Sequence, residues 1–193
     1  MTDRFAIVIL AAGRSSRLGQ PKQLLRYQGK TLVEHAASTA LASGAHEVVV
    51  VVGAESERVR AVLSSLPIRI VENPDWQEGM GVSIRCGVAS LLPDSGCVVI
   101  ALCDQPKITA DHLRHLVESC LESGSAIAAS SYAGTLGAPC AFARSMFPNL
   151  LALQGDAGAR DLIRNSQNQV AVVEFDAGNL DVDTPQDAVN LGG

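Results

Sequence analysis

The sequence predicts an α/β protein of three layers, a Rossmann-like, mostly parallel sheet between two sets of helices. Three observations predict it. Phe5-Ala6-Ile7-Val8-Ile9-Leu10, Val48 to Val52 and Val98 to Leu102 are short unbroken apolar runs rich in β-branched residues. Strands buried on both faces suit a parallel sheet covered by helices. Helical periodicity fills the intervals between them, and the two kinds of element alternate from end to end.

The elements follow in order. After the strand at 5–10, Thr31 to Ala42 has apolar residues at 32, 33, 36, 37, 40 and 41, with Thr31 and Glu34 at capping-box spacing. The strand at 48–52 is followed by a helix near 56–65, a weaker strand at 68–71 and a helix near 83–92. Beyond the strand at 98–102, Leu113, Leu116, Val117, Cys120 and Leu121 form an amphipathic stripe after a Thr109 cap. Weaker strands are expected at 126–131, 139–142 and 170–175, with helices near 157–164 and 185–191. Thr184 at N-cap, Pro185 at N1 and Asp187 at N3 open the last helix, so Asp187 is read as structural. His112 and His115 fall on the polar side of their helix and are read as surface residues. Trp76 and Tyr132 are read as packing, with stacking on a ring as the alternative.

The chain has 193 residues, 15 basic and 20 acidic, for a net charge of −5. Size scaling gives a folded surface of about 8,800 Å² against about 29,000 Å² for the open chain, roughly 70% buried. No metal or disulfide is needed to hold such a fold. One domain over 1–193 is expected, since no Pro, Ser or Gly linker and no repeat divides the chain. The absence of a Lys/Arg cluster argues against nucleic acid. No apolar stretch approaches the roughly 18 to 20 residues of a membrane span, and the opening residues lack the form of a secretory signal. Five widely spaced cysteines, at 86, 97, 103, 120 and 140 with no CxxC pair, read as small buried hydrophobes in a reducing cytosol. A cytoplasmic protein is expected, and the low aromatic content favours a monomer.

The loop leaving the first strand reads Leu10-Ala11-Ala12-Gly13-Arg14-Ser15-Ser16-Arg17-Leu18-Gly19-Gln20-Pro21-Lys22. Its small residues let backbone amides close on a ligand, and such a nest binds phosphate oxygens. Arg17 supplies a bidentate fork and Lys22 a point charge for a polyphosphate. It is neither a Walker A loop, since no Ser or Thr follows Lys22, nor GxGxxG. The plain alternative is a flexible loop carrying two solvated bases.

This loop resembles the signature of the MobA-like nucleotidyltransferases, L-A-[AG]-G-x-S-x-R-[MFL]-G-x-x-K after strand one. The Ala11-Ala12-Gly13 form and Gln23-Leu24-Leu25 look like the molybdenum cofactor cytidylyltransferase branch; the guanylyltransferase branch typically carries Ala-Gly-Gly and Asp-Lys. The resemblance implies a nucleotide-diphospho-sugar transferase (GT-A-like) fold and a nucleotide site that includes Leu10, Ala11, Ala12, Gly13, Arg17 and Lys22. A steric idea accompanies it: a methyl at Ala12 narrows the base pocket and favours a pyrimidine.

Cys103-Asp104-Gln105-Pro106 follows the strand at 98–102. A carboxylate at a strand end, on a turn stiffened by Pro106, suits Mg²⁺ bridging nucleotide phosphates; a turn-starting Asp is the alternative. The resemblance makes Asp104 a magnesium ligand and the Leu180-Asp181-Val182-Asp183-Thr184-Pro185 segment the source of a second, with Asp183 preferred to Asp181. Many members carry Gly where Cys103 stands, and this thiol is read as packing.

Asn73-Pro74 and Glu78-Gly79-Met80-Gly81-Val82-Ser83 lie between a strand and a helix. Their glycines allow close approach of a flat base, and Ser83 can donate or accept. The resemblance places base and ribose recognition there, with Asn73, Gly79 and Ser83 as contacts. Arg85 is either a phosphate contact or a surface charge. Gly137-Ala138-Pro139 and Gly155-Asp156-Ala157-Gly158-Ala159-Arg160 complete the set. The second resembles the G-D-x-G-A-R segment of the cytidylyltransferase branch, which puts Gly137, Pro139, Gly155, Asp156 and Arg160 on the pterin side. The alternative has Asp156 capping the helix and Arg160 in water. Cys140 departs from the pattern, in which a bulky residue commonly follows G-x-P.

The activity implied is Mg²⁺-dependent transfer of CMP from CTP to molybdopterin, giving molybdopterin cytosine dinucleotide and pyrophosphate. A molybdoenzyme apo-protein is the implied partner for the product. Two other readings stay open: transfer from another nucleotide or to a sugar or alditol phosphate, and a non-catalytic escort of the finished cofactor.

Overall fold

The structure is a computed structural model; it describes residues 4–15, 18–132, 134–166, 169–175, 182, 184, 186 and 187. In chain order the strands are β1 (Phe5–Ala11), β2 (Arg26–Tyr27), β3 (Lys30–Thr31), β4 (Glu47–Val52), β5 (Arg69–Glu72), β6 (Cys97–Leu102), β7 (Ile127–Tyr132), β8 (Thr135–Ala143) and β9 (Val170–Glu174). The helices are α1 (Leu32–Ala42), α2 (Ser56–Leu63), α3 (Met80–Ala89), α4 (Ala110–Glu122), α5 (Phe147–Leu151) and α6 (Ala159–Asn165).

Among the described residues, seven strands form one sheet in the order β5-β4-β1-β6-β8-β7-β9. β5, β4, β1 and β6 are parallel, β8 runs against both of its neighbours, and β9 is parallel to β7. Alternation along each strand divides the core in two. Ile7, Ile9, Val48, Val50 and Val99 face α1, α2 and α4, where Val33, Ala37, Val59, Leu63, Leu113 and Leu116 meet them. Val8, Leu10, Val49, Val51, Val98 and Ile100 face α3, α5 and α6, through Ile84, Val88, Leu150, Ala159 and Ile163. This is the three-layer α/β architecture expected.

From β1 the chain moves outward to β4 and β5, and then returns across the sheet to β6 on the other side of β1. The carboxyl ends of β1 and β6 therefore flank a topological switch point, where open α/β sheets bind ligands. Leu10 stands opposite Leu102 in register, so the loop after Ala11 and the turn carrying Asp104 leave the sheet side by side.

Local signals act as read. Thr31 Oγ1 accepts from Glu34 N (3.3 Å) and Glu34 Oε2 from Thr31 N (2.9 Å), a complete capping box. Thr109 Oγ1 accepts from His112 N at 3.1 Å. Asp187 Oδ2 accepts from Thr184 N at 2.8 Å and Thr184 Oγ1 from Asp187 N at 3.3 Å, the structural role expected of Asp187.

Three differences stand out. Gln28 and Gly29, both at positive φ (49° and 83°), turn a two-residue hairpin between β2 and β3. α3 begins at Met80 instead of Ser83, and β8 begins at Thr135, ahead of the expected 139. His112, read as a surface residue, is 5% exposed. It stands four before Leu116 and so joins the apolar edge of α4.

Candidate active site: a two-lobed cleft at the switch point

The loop after β1 is held by its carbonyl groups. Leu10 O accepts from Cys103 N (3.4 Å) and Ala12 O from Ala54 N (3.0 Å). Ala11 O and Gly13 O both accept from the side-chain amide of Gln23, at 2.9 and 2.6 Å. Gln23 sits in a 3-10 turn at Lys22–Leu24 and is 1% exposed. Lys22 N donates to Ser15 Oγ at 3.0 Å, closing the loop on itself. In the sequence Gln23 carries only a family resemblance. Its partners lie ten and twelve residues back in the chain, and no local pattern carries that signal.

Asp104, 4% exposed, follows β6. Lys22 Nζ donates to Asp104 Oδ2, which joins the β1 loop to the β6 turn. Burial pushes the Cys103 thiol up, with the Asp104 charge adding to it. That keeps Cys103 protonated and leaves it a packing residue.

The cleft around this pair has two lobes. One is lined by Ala12, Gly13, Arg14, Trp76, Gly79 and Ser83; the other by Ile84, Tyr132, Ala138, Gly158, Arg160 and Arg164. Leu10, Lys22, Met80, Leu102, Asp104 and Asp156 line both. The lobes have cavity volumes of about 390 and 450 Å³, in the range of small-molecule sites.

The two lobes are locked together by backbone. Gly81 N donates to Gly155 O at 2.9 Å. A Cβ on Gly79 would stand 2.3 Å from the Gly155 carbonyl, and one on Gly81 2.5 Å from Ala157 O. Gly79 also has φ +123°, open to glycine alone. Asn73 is buried behind Ser83: its Nδ2 donates to Ser83 Oγ at 3.0 Å and its Oδ1 accepts from Asp75 N at 3.1 Å. The Ser83 proton is thereby left for another acceptor.

On the second lobe, Ala138 O takes hydrogen bonds from Tyr132 Oη and Gln105 Nε2, both at 3.1 Å. A Cβ on Gly137 would stand 2.7 Å from the Tyr132 hydroxyl and 3.2 Å from Arg160 Nε. Beneath this turn Ser130 Oγ donates to Pro139 O (2.6 Å) and meets His112 Nε2 (2.7 Å). Since the serine proton is spent on Pro139, Nε2 carries the imidazole hydrogen. His112 stacks on Phe175 at 4.2 Å. Burial lowers its pKa to about 4, with His115 adding repulsion. Cys140 lies beneath the same lobe, and burial raises its thiol to about 12.

The expected site residues thus converge in part. Leu10, Ala12, Gly13, Lys22, Gly79, Ser83, Asp104, Asp156 and Arg160 line the cleft. Ala11, Asn73, Gly137, Pro139 and Gly155 form the backbone and packing behind it. Arg17, Asp181 and Asp183 lie outside the described residues, as does most of the helix expected at 185–191. Trp76 lines the first lobe and Tyr132 the second. α6 is capped by Asp161, whose Oδ2 accepts from Gly158 N at 2.9 Å, so Asp156 is not its cap. Met80, Arg14 and Arg164 are cleft residues that the sequence reading did not select.

A divalent cation fits the chemistry of this donor set. Asp104 and Asp156 are hard oxygen donors on the shared wall of both lobes, and ions such as Mg²⁺ need one or two carboxylates where phosphates complete the shell. Among the described residues there is no group of three or more His, Cys, Asp or Glu placed to hold an ion alone. No helix of the described residues is long and apolar enough to cross a membrane.

Comparison with known proteins places this geometry. Residues 7–171 match the MobA-like NTP transferase domain. The chain is 37% identical to the nicotine blue oxidoreductase of Paenarthrobacter nicotinovorans over 95% of this chain and 94% of that protein. It is 36% identical to the purine catabolism protein PucB of Bacillus subtilis (strain 168), over 93% and 92%. The crystal structure of Rv0371c from Mycobacterium tuberculosis H37Rv superposes with a TM-score of 0.87 at 32% identity, covering 99% of this chain and 98% of that one. A structure of the same protein in complex with manganese gives 0.84 at 29%, with the same coverage. The switch-point cleft, the phosphate-type loop and these matches agree, and the chain belongs to the MobA-like NTP transferase family, a nucleotidyltransferase.

Proposed function

We propose that the protein transfers CMP from CTP to the terminal phosphate of molybdopterin, giving molybdopterin cytosine dinucleotide and pyrophosphate. The observation that carries this reading is the Lys22–Asp104 pair on the wall common to both lobes. A cation and a carboxylate at that junction are what a transferring phosphate and its metal require.

The nucleotide lies in the lobe of Ala12, Gly13, Gly79 and Ser83, its triphosphate on the loop amides with Lys22 and Arg17. The Ala12 methyl, 4% exposed, narrows the base end toward a pyrimidine. The acceptor lies in the lobe of Tyr132, Ala138 and Arg160. Its phosphate oxygen is already an anion and attacks the α-phosphorus in line; the new P–O bond forms as the bond to the β-phosphate breaks, and pyrophosphate leaves. No side-chain nucleophile is needed, and the chain contributes position and charge. Asp104 and Asp183 would hold Mg²⁺, which supplies charge neutralisation across the transferring phosphate. One observation supports Asp104 and this segment: Val182, the sequence neighbour of Asp183, donates its N–H to Asp104 O at 3.1 Å; the manganese complex of the related Rv0371c supports a divalent cation.

The motifs at 11–13, 23–25 and 155–160 favour cytidylyl transfer to a pterin. Arg160 and Arg164 would also suit a sugar or alditol phosphate, which is the competing acceptor. In this reading residues 1–193 act as one cytoplasmic domain and hand the product to a molybdoenzyme apo-protein.

A thermal-shift panel of the four ribonucleoside triphosphates, with and without Mg²⁺, tests the nucleotide half. Ligand at about a hundred times its Kd stabilises by roughly 2.7 kcal/mol, a rise of roughly 5 to 10 °C for a domain of this size. The expected result is a shift with CTP and Mg²⁺. A shift with a purine nucleotide alone would overturn the base assignment.

A further inference from the structure

We propose that Gln23 is the positioning residue of the nucleotide loop: it holds two loop carbonyls against the protein, and so sets the affinity for a triphosphate without touching it. The inference rests on the nucleotidyl-transfer reading of the cleft and adds a residue to it.

Four consecutive carbonyls, from Leu10 to Gly13, are engaged by donors outside the loop. The Cys103 and Ala54 backbone N–H groups take the first and third; the Gln23 amide takes the second and fourth. In a trans peptide the next residue's N–H points away from the carbonyl, so the two carbonyls held by Gln23 turn the N–H groups of Ala12 and Arg14 away from that side chain. That polarity suits an anion. Two of the four anchors are backbone groups of β6 and β4 connections and are fixed by the sheet. The other two depend on a single side chain.

Gln23 is suited to the task by its chemistry. Only an amide brings two N–H donors to carbonyls two residues apart and still presents an acceptor, here toward Ser15 Oγ at 3.5 Å. A polar side chain 1% exposed is costly to bury unless its hydrogen bonds are made. Gln23 is also next in sequence to Lys22, whose N–H donates to the same Ser15 Oγ. One clasp thus fixes both the loop and the backbone that carries the lysine.

The test compares Gln23→Met, nearly the same shape without the donors, and Gln23→Glu, whose carboxylate would face two carbonyl oxygens. Backbone hydrogen exchange without nucleotide is read first. We expect Ala12, Gly13 and Arg14 to exchange at least tenfold faster in Gln23→Met, with the β1 interior unchanged. Steady-state kinetics follow, using whichever nucleoside triphosphate binds the wild type tightest. The nucleotide KM should rise at least tenfold while kcat stays within threefold and the acceptor KM holds. For Gln23→Glu the defect should be deepest at pH 8 and lessen toward pH 5.5, where a protonated carboxyl can donate again.

Unchanged exchange together with an unchanged nucleotide KM would overturn the proposal. So would an equal rise in both KM values, the sign of general loosening. If the wild type binds a nucleotide other than CTP, the base assignment fails and the Gln23 comparison stands with that nucleotide. If it binds none, the nucleotidyl-transfer reading fails, and the exchange result alone decides whether Gln23 holds the loop.

Discussion

The two lobes of the cleft are built by different means. The lobe proposed for the nucleotide has a main-chain floor, with small residues at 11 to 13, a glycine at 79, and carbonyls pinned from behind by Gln23 and by the connections after β4 and β6; Arg14, Trp76 and Ser83 add side chains around it. The lobe proposed for the acceptor presents side chains, Tyr132 from β7 and Arg160 and Arg164 from α6, beside the reversed strand β8. Behind it stands a polar relay of His112, Ser130 and Pro139 O in place of a glycine nest. On the proposed reading, the difference gives one lobe to the common part of every nucleoside triphosphate and the other to a particular acceptor. Backbone donors recognise phosphate in general, whereas side chains can be exchanged to fit a substrate.

The sharpest test of that division is the residue common to both lobes. Asp104→Ala should lower kcat by about 10³-fold, the scale of losing one preorganised charge-stabilising group, with the protein still folded at the assay temperature although its melting temperature falls, since the Lys22 partner is lost. Equal losses in kcat and kcat/KM would mark an interaction made in the transition state. Near-normal turnover would remove Asp104 from the metal site.

Next in size is a pH effect on stability that originates in His112, behind the second lobe. His112 is neutral when folded, with a pKa near 4 against about 6.5 when unfolded. In the window between these values the unfolded chain binds more protons, so stability is complete above pH 6.5 and is lost as pH falls toward 4. The loss amounts to about 3 kcal/mol by linkage. Urea melts at pH 7 and pH 4.5 should show a smaller pH dependence in His112→Asn than in the wild type.

Glycines at the seam and at the acceptor turn give the smaller effects. Gly81→Ala places a Cβ 2.5 Å from Ala157 O, a backbone atom that cannot swing aside. It should destabilise by about 1–3 kcal/mol and raise both KM values, because the seam serves both lobes. Gly137→Ala crowds the Tyr132 hydroxyl and Arg160. It should raise the acceptor KM by about tenfold, or about 1.4 kcal/mol, with the nucleotide KM unchanged. An equal rise in both would mean that the lobes are not separate.

The same contrast governs what the sequence made legible. The apolar runs at 5–10, 48–52 and 98–102 could only be covered strands, and Thr31 with Glu34 and Thr109 marked helix starts that the structure contains. The phosphate-type loop and the Asp104 turn were legible because their chemistry is local in the chain. Gln23 was not, since its meaning lies in carbonyls ten and twelve residues away. His112 was misread because one polar residue on a helix edge looks solvated until β7 supplies Ser130. β8 extends four residues ahead of the expected start for a similar reason: Thr135 to Ala138 offers only Leu136 and Ala138 as apolar positions around a glycine, too short a pattern to mark a strand, and its strand form follows from pairing with β7 across a register shift. Met80, 46% exposed between two glycines, gave no signal of its own and gains meaning only from lining both lobes.

Nucleotidyl transfer across the Lys22–Asp104 junction is assayed with α-phosphate-labelled CTP. The protein is incubated with labelled CTP, Mg²⁺ and either molybdopterin or a sugar phosphate, and label and pyrophosphate are followed together. Label should appear in molybdopterin with one pyrophosphate released per transfer, and about 10³-fold more slowly with Asp104→Ala. Label transferred to the sugar phosphate instead, or no pyrophosphate with any acceptor, would contradict the proposed transfer.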